Sequence, residues 1–305
     1  MGKMTSKVIV TTTINSPTIA TKKFANKEGW DLIVVGDDKT PHEEYEKLNC
    51  FYMHPDYQEK EYKELSDILG WRTIQRRNIG FVEAYRRGYD IIATVDDDNI
   101  PYDDWGENVL IGQTVEVDLY EPNSFVFDPL SVTNTPELWH RGYPIEEVPT
   151  RHEVVYKGKT KRKVLIQADL WDGDPDIDAM ARLSMRPCVK YDVTEPYCSN
   201  RISPFNSQNT FLAREVIPYY SVLPFVGRMD DIWGGYIVQA IIGNNLIYNK
   251  ASVYQDRNEQ DLVTNLENEI VGYRDTKNLI ENLPYYMDHL PEKTREFIKI
   301  YRSMF

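Results

Sequence analysis

The sequence predicts an α/β protein built on a mixed, mainly parallel sheet flanked by helices, with a helical appendage at its C-terminal end. Short apolar runs rich in β-branched residues alternate with helical stretches as far as Val95. The connections between the first runs are short, which predicts parallel pairing through right-handed crossovers. Beyond residue 255 the strand pattern gives way to Leu262, Leu266, Ile270 and Tyr273 at helical spacing. No internal repeat or low-complexity linker interrupts the chain, so residues 1–255 are expected to form one continuous unit and residues 256–305 its appendage.

In chain order, Lys7-Val-Ile-Val-Thr-Thr-Thr13 reads as the first strand and Asn15-Ser-Pro17 as a turn opening a helix that runs through Lys27. Asp31-Leu-Ile-Val-Val-Gly36 is a second buried strand, closed by Asp37 and Asp38. The loops after these two strands then flank one edge of the sheet, where a nucleotide base and ribose commonly sit. Residues 50–53 form a short third strand, and residues 57–69 read as one helix with Tyr62, Leu65 and Leu69 on one side. Arg76 and Arg77 open the next helix, which runs to Arg87 and feeds directly into Ile91-Ile-Ala-Thr-Val95. Trp139-His-Arg-Gly-Tyr-Pro144 is a compact polar–aromatic turn, residues 157–163 an exposed hairpin tip, and residues 164–170 a strand. Residues 204–212 read as a strand or turn carrying amide side chains, including Asn209. Asp230 and Asp231 head an apolar helix over residues 232–242, where negative charge is favoured, and residues 244–254 return as strand and loop.

Composition narrows the function. A hydrophobic fraction of 41% supports a sizeable core, and 12% aromatic content with 21 tyrosines suits a protein that stacks rings or sugars, although such residues are as common in ordinary cores. A net charge of −13 argues against a general nucleic-acid or anionic-membrane binder. Cys50, Cys188 and Cys198 are odd in number and lack metal-site spacing, which fits a reduced, cytoplasmic setting. No apolar run reaches membrane-spanning length, and no signal-peptide region follows the start. The first residues, with Gly2, fit the loose N-myristoylation pattern. The Gly-rich fingerprints of dinucleotide sites and P-loops are missing, and the acidic stretch 171–178 lacks the glycine and terminal glutamate of a calcium loop.

The strongest chemical signal is Asp96-Asp97-Asp98, which follows a strand whose Ile91, Ile92, Ala93 and Val95 make a short apolar run. Ligands of open α/β sheets collect at the carboxyl ends of the strands. Three carboxylates there repel one another unless a cation intervenes, and a hard divalent ion held by one or two carboxylates and substrate phosphates relieves that repulsion. Taken alone, the triplet could equally be an acidic loop, Arg76-Arg77 a solvated basic turn, and Asp230-Asp231 a helix cap. Arg76 and Arg77, near a helix start, are candidates to face a diphosphate.

These motifs, in this order, resemble the reversibly glycosylated polypeptide family, which includes the plant UDP-arabinopyranose mutases, and through it the Rossmann-like GT-A glycosyltransferase fold. The resemblance runs over about residues 7–255 and rests on the two first strands, Thr94-Val-Asp-Asp-Asp98, Arg141-Gly-Tyr-Pro144, and Trp171 with Pro175-Asp-Ile-Asp178-Ala179. Arg228-Met-Asp-Asp-Ile-Trp233 and Lys250-Ala-Ser252 complete it. The family's second arginine after the Arg-Gly-Tyr-Pro turn has no match, and Asn249 stands near a family histidine.

The resemblance implies a GT-A-like nucleotide-sugar domain at 1–255 and Mn²⁺ or Mg²⁺ held by Asp96 and Asp98 against UDP. Arg141, the residue matching the family's self-glycosylated arginine, is expected to be catalytic together with Asp230 and Asp231. Thr11, Asp37, Arg76, Arg77, Asp96, Asp97, Trp171, Asn209 and Trp233 are expected to bind substrate. The implied activity is pyranose–furanose interconversion of a UDP-sugar, with UDP-arabinose first in line, by a cytoplasmic protein that could glycosylate itself. A GT-A glycosyltransferase serving a separate acceptor is the alternative, a non-catalytic nucleotide-sugar-binding partner the third reading, and a homo-oligomer is left open.

Overall fold

The computed structural model describes residues 5–257 and 260–305; Gly2, on which the lipidation pattern turns, lies outside them. Strand β1 (Lys7–Thr13) is followed by α1 (Ile19–Ala25), β2 (Asp31–Gly36), the single turn α2 (His42–Tyr45) and β3 (Phe51–Met53). The helix expected over 57–69 is two helices, α3 (Pro55–Glu61) and α4 (Lys63–Leu69), because Tyr62 leaves helical geometry at φ −134°. That break turns the Tyr62 ring into the core, where it is 2% exposed. A 3₁₀ turn at Ile74–Arg76 leads into α5 (Arg77–Arg87), which ends on Gly88 in the left-handed region. Strands β4 (Ile91–Val95) and β5 (Asn99–Pro101) follow.

The second half carries β6 (Thr114–Pro122), β7 (Val154–Lys163), β8 (Ile166–Gly173), α6 (Ala179–Met185), β9 (Tyr197–Cys198) and β10 (Asn209–Ala213). Helix α7 (Asp230–Ile242), β11 (Leu246–Gln255), α8 (Leu262–Glu281) and α9 (Glu292–Ser303) complete the chain. Residues 157–163 are therefore no hairpin tip. They belong to β7, which pairs antiparallel with β6 from Thr114 opposite Lys163 to Pro122 opposite Val154. The charged sequence that reads as a loop is a sheet edge, where lysines discourage pairing with other chains.

One mixed sheet orders the strands β3-β2-β1-β4-β10-β8-β11-β9-β6-β7, with β5 pairing off-path to β11. The half made of β3, β2, β1 and β4 is entirely parallel, and β10 joins it antiparallel to β4. This large sheet with helices packed on it is an α/β arrangement compatible with the Rossmann-like GT-A fold. Every residue of β4 is buried, as a central strand requires. Helix α5 approaches the sheet so closely that a Cβ on Gly80 would stand 2.6 Å from Val10 and 2.8 Å from Val35. Only glycine permits that contact, and the contact sets Arg77 beneath the end of β4. From the C-terminal helices, Leu279, Phe297, Ile298 and Tyr301 bury into the same cluster as Val10, Ile79 and Trp233. Among the described residues no helix is long and apolar enough to cross a membrane.

Candidate active site

The aspartate triplet divides at the exit of β4. Asp97 turns towards β1, where its Oδ2 accepts hydrogen bonds from Thr13 Oγ1 at 2.5 Å and Asn15 Nδ2 at 3.0 Å. Asp96 and Asp98 line a larger cleft on the other side. Arg77 holds Asp96 in place: its Nη2 lies 2.5 Å from Asp96 Oδ1, and its Nη1 donates to the Ser207 carbonyl at 2.9 Å. Asp98 Oδ1 is buried without a hydrogen-bond partner. Burial, and then the charge of Asp96, push the Asp98 carboxyl up to about 7. Among the described residues no group of three or more His, Cys, Asp or Glu side chains is placed to hold a metal unaided. A buried, unpartnered carboxylate oxygen beside a second carboxylate fits a divalent ion that takes its other ligands from phosphates and water.

Two adjoining clefts share Arg72, Thr73 and Ile74. The smaller, about 210 Å³, is lined by Thr12, Thr13, Asn15, Asp37 and Asp97, with Ile14 and Ile74 as partly exposed apolar walls. Asp37 closes it by accepting from the backbone N–H of Arg72 with both oxygens, at 2.9 and 2.8 Å. The larger, about 610 Å³, brings Asp96 and Asp98 together with Arg141, Ser207, Arg228, Asp230, Asp231 and Arg257.

Arg141 sits on the turn expected from the sequence. Gly142 has φ +71°, and a Cβ there would stand 2.6 Å from Ile232, so the turn needs glycine and lies directly on α7. The Arg141 guanidinium donates to Asp176 from Nε at 3.0 and 3.1 Å and from Nη2 at 2.8 Å. Nη2 also lies 3.0 Å from Asp231 Oδ1, Nη1 lies 3.7 Å from Asp230 Oδ1, and Nη1 donates to the Arg228 carbonyl. Burial opposes the charged form, but Asp176, Asp231 and Asp230 outweigh it and hold Arg141 well above its ordinary value.

The two carboxylates of α7 differ. Asp231 Oδ2 accepts from Ser207 N at 2.8 Å and Ser207 Oγ at 3.0 Å; against its burial, Arg141 holds it below the usual carboxylate range. Asp230 accepts from Gln75 Nε2 at 2.8 Å and from the Asp231 N–H, and burial followed by the charge of Asp231 pushes it up to about 7. Neighbouring carboxylates with separated proton affinities are the usual mark of divided acid–base roles.

Five expected substrate contacts lie elsewhere, and Thr11 also turns away; one of the five, Arg77, is 1% exposed, spent on Asp96 and the Ser207 carbonyl, and lines neither cleft. Arg76 is fully buried, donating to Gln58 Oε1, Ser66 Oγ and the Gly70 carbonyl and stacking on Trp71. It braces the loop before α5 and cannot reach the cleft. Trp233 donates its indole N–H to Thr276 Oγ1 at 2.9 Å within the core, and Trp171 packs edge-on against His140 at 2% exposure. Asn209 bridges strands, accepting from Trp105 Nε1 and donating to the Leu170 carbonyl and Ser252 Oγ. Thr11 is 1% exposed within β1; its neighbours Thr12 and Thr13 line the smaller cleft.

Residues that the sequence did not single out complete the larger cleft. Asp176 and Arg228 lie inside quoted motifs and join the Arg141 cluster, with Arg228 Nε 2.9 Å from Glu269 Oε1 and Nη2 3.4 Å from Asp176 Oδ1. Ser207, Arg72 and Arg257 stand in no motif; only their place in the fold reveals them.

No protein-family model matches this chain. It is similar to two Arabidopsis thaliana proteins, the probable glycosyltransferase STELLO2, 25% identical over 225 residues, and the probable glycosyltransferase STELLO1, 26% identical over 225 residues. Each match covers 68% of this chain and 29% of the relative, so the chain spans under a third of the length of these relatives.

Proposed function

We propose that the protein is a glycosyltransferase that moves a sugar from a UDP-sugar to a separate acceptor hydroxyl. The observation that carries this reading is the convergence of Asp96, Asp98, Arg141, Asp230 and Asp231 on one cleft at the carboxyl end of β4. The likeness to two proteins named as probable glycosyltransferases supports the class. The smaller cleft suits a base and ribose, with Ile14 and Ile74 as apolar flanks and Thr13, Asn15 and Asp37 as polar partners. Asp96 and Asp98 would hold Mn²⁺ or Mg²⁺, which as a Lewis acid stabilises the charge on the departing diphosphate.

The chain's own groups account for the rest. Arg77 fixes Asp96 so that two carboxylates face the cleft together. Asp230, with its proton affinity near neutrality, takes the proton of the acceptor hydroxyl as that oxygen bonds to the anomeric carbon and the bond from that carbon to the diphosphate oxygen breaks. Asp231 stays ionised and orients Arg141, whose positive charge in the cleft wall offsets the negative charge that develops on the departing diphosphate.

A second reading, the pyranose–furanose mutase, draws on the Arg141-Gly-Tyr-Pro144 turn, whose Arg141 lines this cleft. An arginine that accepts a sugar must first lose its proton, and the three carboxylates around Arg141 oppose that loss. Incubation with Mn²⁺ and a panel of UDP-pentoses and UDP-hexoses, with and without acceptor sugars, tests both readings through chromatography and intact protein mass. Glycosylated acceptor, with UDP release that depends on it, is the expected result. UDP-arabinofuranose formed without acceptor, with pentose mass on the protein, would replace transfer by the mutase. UDP binding with no turnover of any donor would leave a binding protein.

A further inference from the structure

Arg257 follows β11, and the backbone sets it with care. The N–H of Asp256 donates to the Asp98 carbonyl at 3.0 Å, which pins the chain leaving β11 across the exit of β4 and puts Arg257 in the wall of the larger cleft. Its side chain is 5% exposed. A guanidinium buried that far is ordinarily spent on hydrogen bonds, as Arg76 is on Gln58, Ser66 and Gly70. Arg257 is not: among the described residues its Nε and Nη2 find no acceptor.

The nearest carboxylates do not change this. Asp174 stands 3.6 Å away and Asp176 3.7 Å, beyond hydrogen-bond reach. Asp174 is already engaged by Arg182, and Asp176 by Arg141, Arg228 and Asn206. The other arginines lining this cleft each have a close carboxylate: Arg72 has Asp38 at 3.1 Å, Arg141 has Asp176 at 2.8 Å and Arg228 has Glu269 at 2.9 Å. Among these arginines, Arg257 is the one with no carboxylate of the described residues within hydrogen-bond reach.

We infer that Arg257 is an oxyanion receptor of the cleft, its free N–H groups taking phosphoryl oxygens of the donor's diphosphate. A planar fork of donors matches phosphate geometry, and leaving it unfilled in a buried wall is costly unless a ligand fills it. The assignment to the donor rests on the nucleotide-sugar reading; the chemistry of the receptor, binding of an oxyanion, does not. Arg257 adds a cationic donor to the cleft in which Asp96 and Asp98 would hold the metal.

The test is calorimetric titration of the full chain and of Arg257→Gln and Arg257→Lys with UDP, inorganic pyrophosphate and uridine. In Arg257→Gln the affinity for UDP and for pyrophosphate should fall by about tenfold or more, with uridine unaffected, because a charge-assisted pair is lost and the ribose and base contacts are not. Arg257→Lys should recover part of that loss. The melting temperature should hold, since the side chain makes no hydrogen bond through Nε or Nη2. Pyrophosphate and UDP bound equally by wild type and Arg257→Gln would overturn the inference. Pyrophosphate binding that depends on Arg257, without any UDP binding by wild type, would uphold the receptor and sink the nucleotide-sugar reading. Unchanged UDP and pyrophosphate binding with a raised KM for an anionic acceptor would move the oxyanion to the acceptor and overturn the assignment to the donor.

Discussion

Arg77 Nη2 and Asp96 Oδ1 stand 2.5 Å apart, with the arginine side chain 1% exposed and the aspartate 17%. This pair joins the first turn of α5 to the exit of β4, and so ties the placement of a helix to the placement of a candidate metal ligand. Removing one partner leaves the other charge buried and unmatched. Arg77→Met should therefore destabilise the fold by about 3 kcal/mol, the range usual for breaking a buried pair. Arg77→Met combined with Asp96→Asn should recover much of the loss. Urea unfolding of the three variants checks this, and additive losses in the double variant would show that the pair is not coupled.

Asp98 carries the prediction about metal. Its Oδ1 is buried and unpartnered, so Asp98→Asn gives up little within the folded chain while removing the charge a cation would need. The variant should fold at least as stably as wild type and lose about tenfold or more of the UDP affinity that Mn²⁺ confers, as expected if Asp96 and Asp98 together hold the ion. Chelation of the ion should bring wild type down to the level of the variant. Titration with UDP in the presence and absence of Mn²⁺ reads both effects, and an Mn²⁺ dependence unchanged by the substitution would remove Asp98 from the metal site.

The parallel half of the fold and the triplet were legible because each is written locally. β4 is a short run of Ile91, Ile92, Ala93 and Val95 broken only by Thr94, and Asp96 to Asp98 follow it without a gap. The Arg141 turn and the head of α7 were legible for the same reason. What the sequence hides is direction. Arg76 and Arg77 are adjacent and chemically identical, yet a 3₁₀ turn ends at the first and an α-helix begins at the second. One guanidinium therefore enters the core against Gln58 while its neighbour reaches Asp96. Trp171 and Trp233 read as sugar platforms and serve as core, because the sheet and α7 bury both faces. Arg257 carries no local signal at all; the register of β11 beside β5 brings it to Asp98.

Arg141 is strapped by Asp176 and Asp231 and stands within 3.7 Å of Asp230, so its role depends on a fixed orientation as well as on charge. Arg141→Ala should reduce transfer at least about a hundredfold, the usual scale for losing a preorganised charge beside a reacting centre. Arg141→Lys should rescue only part, because an ammonium cannot satisfy Asp176 and Asp231 together. UDP affinity should fall far less than transfer in both, since the Arg141 donors are already spent on Asp176, Asp231 and the Arg228 carbonyl. Equal transfer rates in wild type and Arg141→Ala would reduce the Arg141-Gly142 turn to scaffolding.

Asp178 makes the stability of the fold depend on pH. It caps α6 by accepting from Met180 N at 2.8 Å and accepts from Tyr273 Oη of α8 at 3.0 Å, while Glu269 of α8 accepts from Ala179 N at 2.9 Å. Burial, and then the charge of Glu269, push the Asp178 carboxyl up to about 7. In the unfolded chain an aspartate titrates near about 3.9, so between that value and 7 the folded form keeps a proton that the unfolded chain has released. The contribution of Asp178 to stability is therefore greatest below about pH 4 and falls as pH rises towards 7, where it levels off. Asp178→Asn keeps an oxygen for Met180 N and Tyr273 without the charge. Unfolding free energies between pH 4 and 8 should show a gain on the order of 1 kcal/mol or more for the variant at pH 8, narrowing towards pH 4. A constant difference between variant and wild type across that range would mean that Asp178 holds the same charge in both states, and that α8 is docked without help from its proton.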